Sequence, residues 1–166
     1  MSRLLRDGKY VVFNNNIYYL SGKKSPNEGM LYIISENEDD IQNGFIPINV
    51  EYNKKYGFFQ CKKEVPKNEI KEAYEIKTHA VYKEMTLGII GCSEKNGTVF
   101  STLAAPYEFP HNPTGEMLEI RNNLVEMGFH DAFHEKTGCM YIIEVDMDDP
   151  ELEFVEERTE IDISKL

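Results

Sequence analysis

The sequence predicts an α+β protein: mainly antiparallel β-sheet of short strands and hairpins, with one main α-helix. Three observations carry this. Apolar residues alternate with polar ones over long tracts. In Ala73–Tyr82, for example, Tyr74, Ile76, Thr78, Ala80 and Tyr82 take one face and Glu75, Lys77 and His79 the other. Asn-rich and Asn-Gly turns separate the apolar runs. A single segment carries a helical stripe, Met117, Ile120, Leu124 and Met127, at spacings of i, i+3, i+7 and i+10.

In chain order, Lys9–Phe13 and Ile17–Leu20 form a tight hairpin across Asn14-Asn15-Asn16, because asparagine tolerates the positive φ of such turns. Gly22–Gly29 is a loop, Met30–Ser35 a strand and Glu36–Asp40 a charged turn. Phe45–Val50 reads as a short strand that Pro47 assigns to a sheet edge, and Tyr56–Lys62 as another strand. Pro66–Ile70 suits one helical turn. Leu87–Cys92 pairs with Thr98–Leu103 across Lys95-Asn96-Gly97. Ala104–Gly115, with Pro106, Pro110 and Pro113 and no period, is expected to be a surface loop. Thr114 would cap the helix and Gly128 stop it. Cys139–Val145, Leu152–Val155 and Ile161–Ile163 read as strands.

The length suits one domain, residues 1–166, and any sub-division would fall at the proline-rich segment 104–115. No apolar run approaches the ~20 residues that span a bilayer. The opening MSRLLRDGKY lacks the apolar core of a signal peptide, so the expected compartment is the cytoplasm. Cys61, Cys92 and Cys139 are scattered and odd in number, which implies reduced and mostly buried thiols.

The charge is unevenly spread. Glu144–Asp162 holds ten acidic residues and one basic residue, a net charge of -9 in a chain of -11. Val145, Met147, Leu152, Phe154, Val155 and Ile161 are threaded through it, so it reads as structured strand with one buried face and one face of carboxylates. A rigid acidic face attracts a basic partner and speeds encounter. It disfavours direct contact with nucleic acid, which calls for clustered Lys and Arg. The candidate partner-binding set is Glu144, Asp146, Asp148, Asp149, Glu151, Glu153, Glu156 and Glu157, with Phe154, Tyr107 and Phe109 as aromatic anchors. The competing explanation is an ordinary solvated face.

Other constellations are thinner. His130 and His134 would share a metal if their segment were helical, with Glu135 and Cys139 near, but no HExxH or second ligand pair accompanies them. Cys139 with either histidine makes a weak nucleophile pair. No glycine-rich phosphate loop is present, and Lys62, Lys63, Lys67, Lys71 and Lys77 are interleaved with glutamates. No catalytic set, metal or cofactor is expected, and the chain is not read as an enzyme.

GKYVVFNNNIYYLSGK, GMLYIISENEDDIQNGF, YEIKTHAVYKEMTLGIIGCSEKNGTVF and LVEMGFHDAF…CMYIIEVD…LEFVEERTEI together resemble immunity proteins of bacterial polymorphic, contact-dependent and wall-associated toxin systems. The likeness is one of pattern over most of the chain, and no functional residue is carried over from it. It implies a stoichiometric inhibitor of a cognate toxin, commonly a nuclease with a basic active-site surface that an acidic face would cover. The alternatives are a nucleic-acid mimic that inhibits another DNA- or RNA-binding protein, and a small hydrolase using His130, His134 and Cys139.

Overall fold

The computed structural model describes residues 5–135 and 138–166. The described chain forms two compact units. One holds Arg6–Lys77 and Glu157–Leu166, the other Leu5 and Thr78–Glu156. Strands β6 (Glu72–Tyr82) and β11 (Leu152–Glu160) each begin in one unit and end in the other. The proline-rich segment 104–115 lies inside the second unit.

In the first unit, β1 (Gly8–Phe13) and β2 (Asn16–Leu20) are joined by Asn14 and Asn15 at φ 49° and 62°. Two consecutive positive φ values make the mirror-image turn that matches the twist of a hairpin. With β3 (Met30–Ser35), β4 (Ile46–Pro47) and β5 (Cys61–Pro66) the order is β4-β5-β3-β2-β1-β6, and the pairs from β4 to β6 are antiparallel. Alternation along these strands sends Val11, Phe13, Tyr18, Leu20, Ile33, Cys61 and Val65 into one core. Asp40, in a 3-10 turn (Glu38–Asn43), is also buried. Its carboxylate accepts hydrogen bonds from Ser35 Oγ at 2.6 Å, Asn43 Nδ2 at 3.1 Å and Tyr18 OH at 3.3 Å, which fastens that turn to the strands.

Two strand expectations fail here. Phe45–Val50 shrinks to the two residues of β4, which does hold the sheet edge that Pro47 requires. The next residues form a helix, α1 (Val50–Tyr56), and the strand expected at Tyr56 starts only at Cys61. Local polar chemistry overrides the apolar pattern. Asn49 adopts the left-handed conformation at φ 50°, Asn53 Nδ2 donates to the Ile48 carbonyl at 2.8 Å, and left-handed Gly57 closes the helix. Near the C-terminus, Ile161–Ile163 is not a strand. A 3-10 turn at Ile163–Lys165 is capped by Asp162, which accepts from Ser164 N at 3.0 Å and from Ser164 Oγ at 2.7 Å.

In the second unit, β7 (Met85–Lys95), β8 (Thr98–Phe109), β9 (His130–Glu135) and β10 (Gly138–Asp146) follow the order β6-β7-β8-β10-β9, antiparallel throughout. Asn96 and Gly97 turn β7 into β8 at φ 54° and 82°. These strands run to 11 and 12 residues, longer than expected. In β8 the excess comes from Ala104–Phe109, which continues the strand instead of leaving as a loop, and in β7 from Met85, Thr86 and Ser93–Lys95 at its two ends. Register explains how the sheet absorbs Pro106. Met140 pairs with Glu108 and Ile142 with Ala104, so three β8 residues, Ala105, Pro106 and Tyr107, face Tyr141 alone. Such a bulge removes the ladder hydrogen bond that proline cannot donate.

Helix α2 (Glu116–Glu126) packs its predicted stripe on this sheet: Leu124 is buried, and Met117, Ile120 and Met127 lie half-buried against Leu103, Phe109, Phe129 and Tyr141. Gly128 at φ 99° ends it as expected. Thr114 does not cap it. Gly115 occupies that position at φ 57° and ψ -135°, a conformation that strains any side chain, and no side-chain capping bond forms. Among the described residues, no helix is long and apolar enough to cross a membrane.

Candidate partner-binding face

The acidic residues sit where β10 turns into β11. In β10, Tyr141, Ile143 and Val145 pack into the core of the second unit, so the pleat sends Glu144 and Asp146 to the opposite face. Glu144 stands opposite Thr102, which stands opposite Gly91, and in the next row Asp146 aligns with Phe100 and Ser93. From β7, Lys95 Nζ donates to Glu144 Oε2 at 2.5 Å and Ser93 Oγ to Glu144 Oε1 at 3.4 Å. The Lys95 hydrogen bond holds the Glu144 carboxyl below the ordinary glutamate range, helped by the field of His130 on β9. Glu144 is therefore an oriented anion.

The turn beyond β10 is built by two of its aspartates. Asp146 Oδ1 accepts from Asp148 N at 2.9 Å, and the Asp146 carbonyl accepts from Asp149 N at 3.0 Å. Asp149 Oδ1 accepts from Glu151 N at 2.8 Å, and Met147 N donates to the Val99 carbonyl at 2.9 Å. Both aspartates are half-buried and their oxygens are engaged by backbone, so they shape the turn. Asp148, Glu151, Glu153 and Glu156 are exposed, while Leu152 and Phe154 of the same strand lie half-buried against the core. The alternation of Glu151, Glu153 and Glu156 with Leu152 and Phe154 is the one read from the sequence. Glu157 is exposed too, but belongs to the first unit.

The aromatic candidates separate. Tyr107 is 39% exposed on β8. Phe109, placed on a surface loop by the sequence reading, is 0% exposed, with its ring edge-on to Tyr141 at 5.1 Å between centroids. Strand β8 carries Phe109 into the core instead of leaving it on a loop, so it has no surface to offer a partner. Phe154 likewise gives much of its ring to the core.

The histidine segment is strand β9 and not helix, so the backbone positions of His130 and His134 are roughly 13 Å apart at ~3.3 Å per residue. The geometry that would let i and i+4 share a metal is absent. The register sets Cys139 opposite His134, and the Cys139 side chain packs against the core. Among the described residues, no group of three or more His, Cys, Asp or Glu could hold a metal ion.

The division of charge between the units was not visible from the stretch alone. Residues 78–156 carry fifteen acidic and four basic residues, net -11; residues 6–77 carry eleven of each and 157–166 three acidic and two basic, net -1. Almost the whole charge of the protein therefore resides in the second unit. Adding charges segment by segment would have exposed this, had the unit boundary been known.

Residues 5–109 match the model of a family described as Uncharacterised conserved protein UCP033725. The match spans β1 to β8 and ends before α2 and the acidic turn. No curated protein and no solved structure matches the chain.

Proposed function

The chain belongs to that uncharacterised conserved family, and we propose that it is an immunity protein whose acidic second unit binds and neutralises a cognate basic toxin, a nuclease by class. The observation that carries this reading is the charge segregation: net -11 within residues 78–156, against balance in residues 6–77. A general solubility charge needs no such partition. A partner with a polyanion-binding surface meets in this unit a field of one sign, which raises encounter rates by ~10 to 10³. Asp148, Glu151, Glu153 and Glu156 supply exposed charge, Glu144 an oriented carboxylate, and Tyr107 an exposed ring on the same unit. Rim charges of this kind govern association rate and salt dependence more than complex lifetime.

The test is stopped-flow association with the product of the adjacent gene at several salt concentrations, beside a nuclease assay of that product. Changing Asp148→Asn, Glu151→Gln, Glu153→Gln and Glu156→Gln together leaves the apolar face of β11 intact. It should slow association about ten-fold or more and flatten the salt dependence that screening over ~8 Å produces at physiological ionic strength. An unchanged rate and salt slope would reduce the acidic strand to a solvated face. Failure of the adjacent product to bind, with capture of a different nucleic-acid-binding protein, would favour the mimic.

A further inference from the structure

Helix α1 is anchored by one residue. Asn53 is 4% exposed, whereas Val50 and Tyr52 are each 59% exposed and Tyr56 is 56% exposed. The rings of Tyr52 and Tyr56, one turn apart, pack at a 47° tilt with centroids 4.6 Å apart, and Phe58, 44% exposed, meets Tyr52 edge-on at 6.0 Å. Ile46, on the neighbouring edge strand β4, is 66% exposed. A seven-residue helix does not bare two tyrosines, a valine and an adjoining phenylalanine for its own stability. Tyr52, Tyr56 and Phe58 form one contiguous exposed aromatic cluster, and such a surface rimmed by charge marks an interface.

The charges on the helix select the occupant. Glu51 is in the first turn and Lys55 in the last, four residues apart, so they form a stripe beside the Tyr52–Tyr56 stripe. We infer that the α1 face binds a second copy of this chain, with the two helices antiparallel about a two-fold axis. Such packing puts the tyrosine stripes in contact and sets like flanking stripes side by side in reverse order. Glu51 of each copy then faces Lys55 of the other, making two symmetric ion pairs from one helix sequence. The antiparallel helix dipoles agree in sign with this pairing. The inference stands apart from the toxin reading, since all the residues it uses lie in the first unit.

Sedimentation equilibrium of the full chain tests it. The parent should show a concentration-dependent dimer. Tyr52→Lys with Tyr56→Lys should be monomeric with an unchanged circular dichroism spectrum, because both residues are exposed. Glu51→Lys alone and Lys55→Glu alone should each weaken the dimer about ten-fold, replacing two weak surface pairs by two repulsions. The double variant Glu51→Lys/Lys55→Glu restores the pairing with signs reversed and should dimerise like the parent. A parent that stays monomeric at hundreds of micromolar, or a double variant no better than either single one, overturns the inference. The first outcome would leave the face to an unrelated protein, the second to a dimer of different geometry.

Discussion

The placement of Phe109 separates the two descriptions of the segment after Leu103 by a measurable energy. As a loop anchor its ring would be exposed, and truncation would cost little stability. In the folded chain it is 0% exposed, edge-on to Tyr141 and enclosed with Leu103, Leu124 and Phe129. Replacing a buried phenylalanine with alanine costs ~3 to 5 kcal/mol through lost transfer energy and the cavity left behind, with ~0.5 to 1.5 kcal/mol attributable to the ring pair. Against the ~5 to 15 kcal/mol that holds a typical domain together, Phe109→Ala should remove about a fifth of the stability or more. Phe109→Leu keeps most of the volume and should cost about 1.5 kcal/mol or less, which preserves a folded variant for comparison. Tyr107→Ala, two residues away, removes a ring that is 39% exposed and meets Phe109 edge-on at 6.0 Å, and should cost no more than about 1.5 kcal/mol, most of it that ring pair. Urea unfolding followed by circular dichroism gives each value as the midpoint shift multiplied by the slope. A Phe109→Ala loss below about 1 kcal/mol, or a Tyr107→Ala loss equal to it, would refute the continuation of β8 through Pro106 and return the segment to a surface loop.

Asp40→Ala strips the acceptor from Ser35, Asn43 and Tyr18 and should destabilise by about 2 to 3 kcal/mol in the same assay; Asp40→Asn, which keeps one carbonyl acceptor, should lose less. Burial, reinforced by the charge of Asp40, pushes the Cys61 thiol up, whereas Cys92 is exposed. A thiol reagent should therefore modify Cys92 first and reach Cys61 only after unfolding, and equal rates in the native protein would contradict the core placement. Because Lys95 holds the Glu144 carboxyl low, the contribution of that pair is present above the unfolded glutamate value of ~4.3 and is lost as pH falls through the lower folded value. A carboxyl-carbon NMR titration should place Glu144 below an ordinary glutamate, and Lys95→Met should move its midpoint up; an unmoved midpoint would dissolve the pair.

What the sequence determined alone is what lies within one or two turns of chain. The hairpins at Asn14-Asn15 and Asn96-Gly97, the strand Met30–Ser35, the stripe of α2 and its stop at Gly128 depend on local φ preferences and on periodicity, both written in consecutive residues. The outward pointing of Glu151, Glu153, Glu156 and Glu157 was legible for the same reason. Where a short-range polar contact outweighs apolar pattern, as at Asn49 before α1 and Asn53 within it, the reading failed because side-chain-to-backbone bonds do not show in a hydropathy period. The rest belongs to contacts distant in sequence. Pro106 can remain in a strand only because β10 supplies the bulged register, and that register buries Phe109 while leaving Tyr107 exposed. Lys95 meets Glu144, 49 residues away, only because β8 lies between their strands. The concentration of negative charge in one unit follows from where the chain divides in space, at Lys77 and Glu156, which no local signal marks because β6 and β11 run through both boundaries without a break.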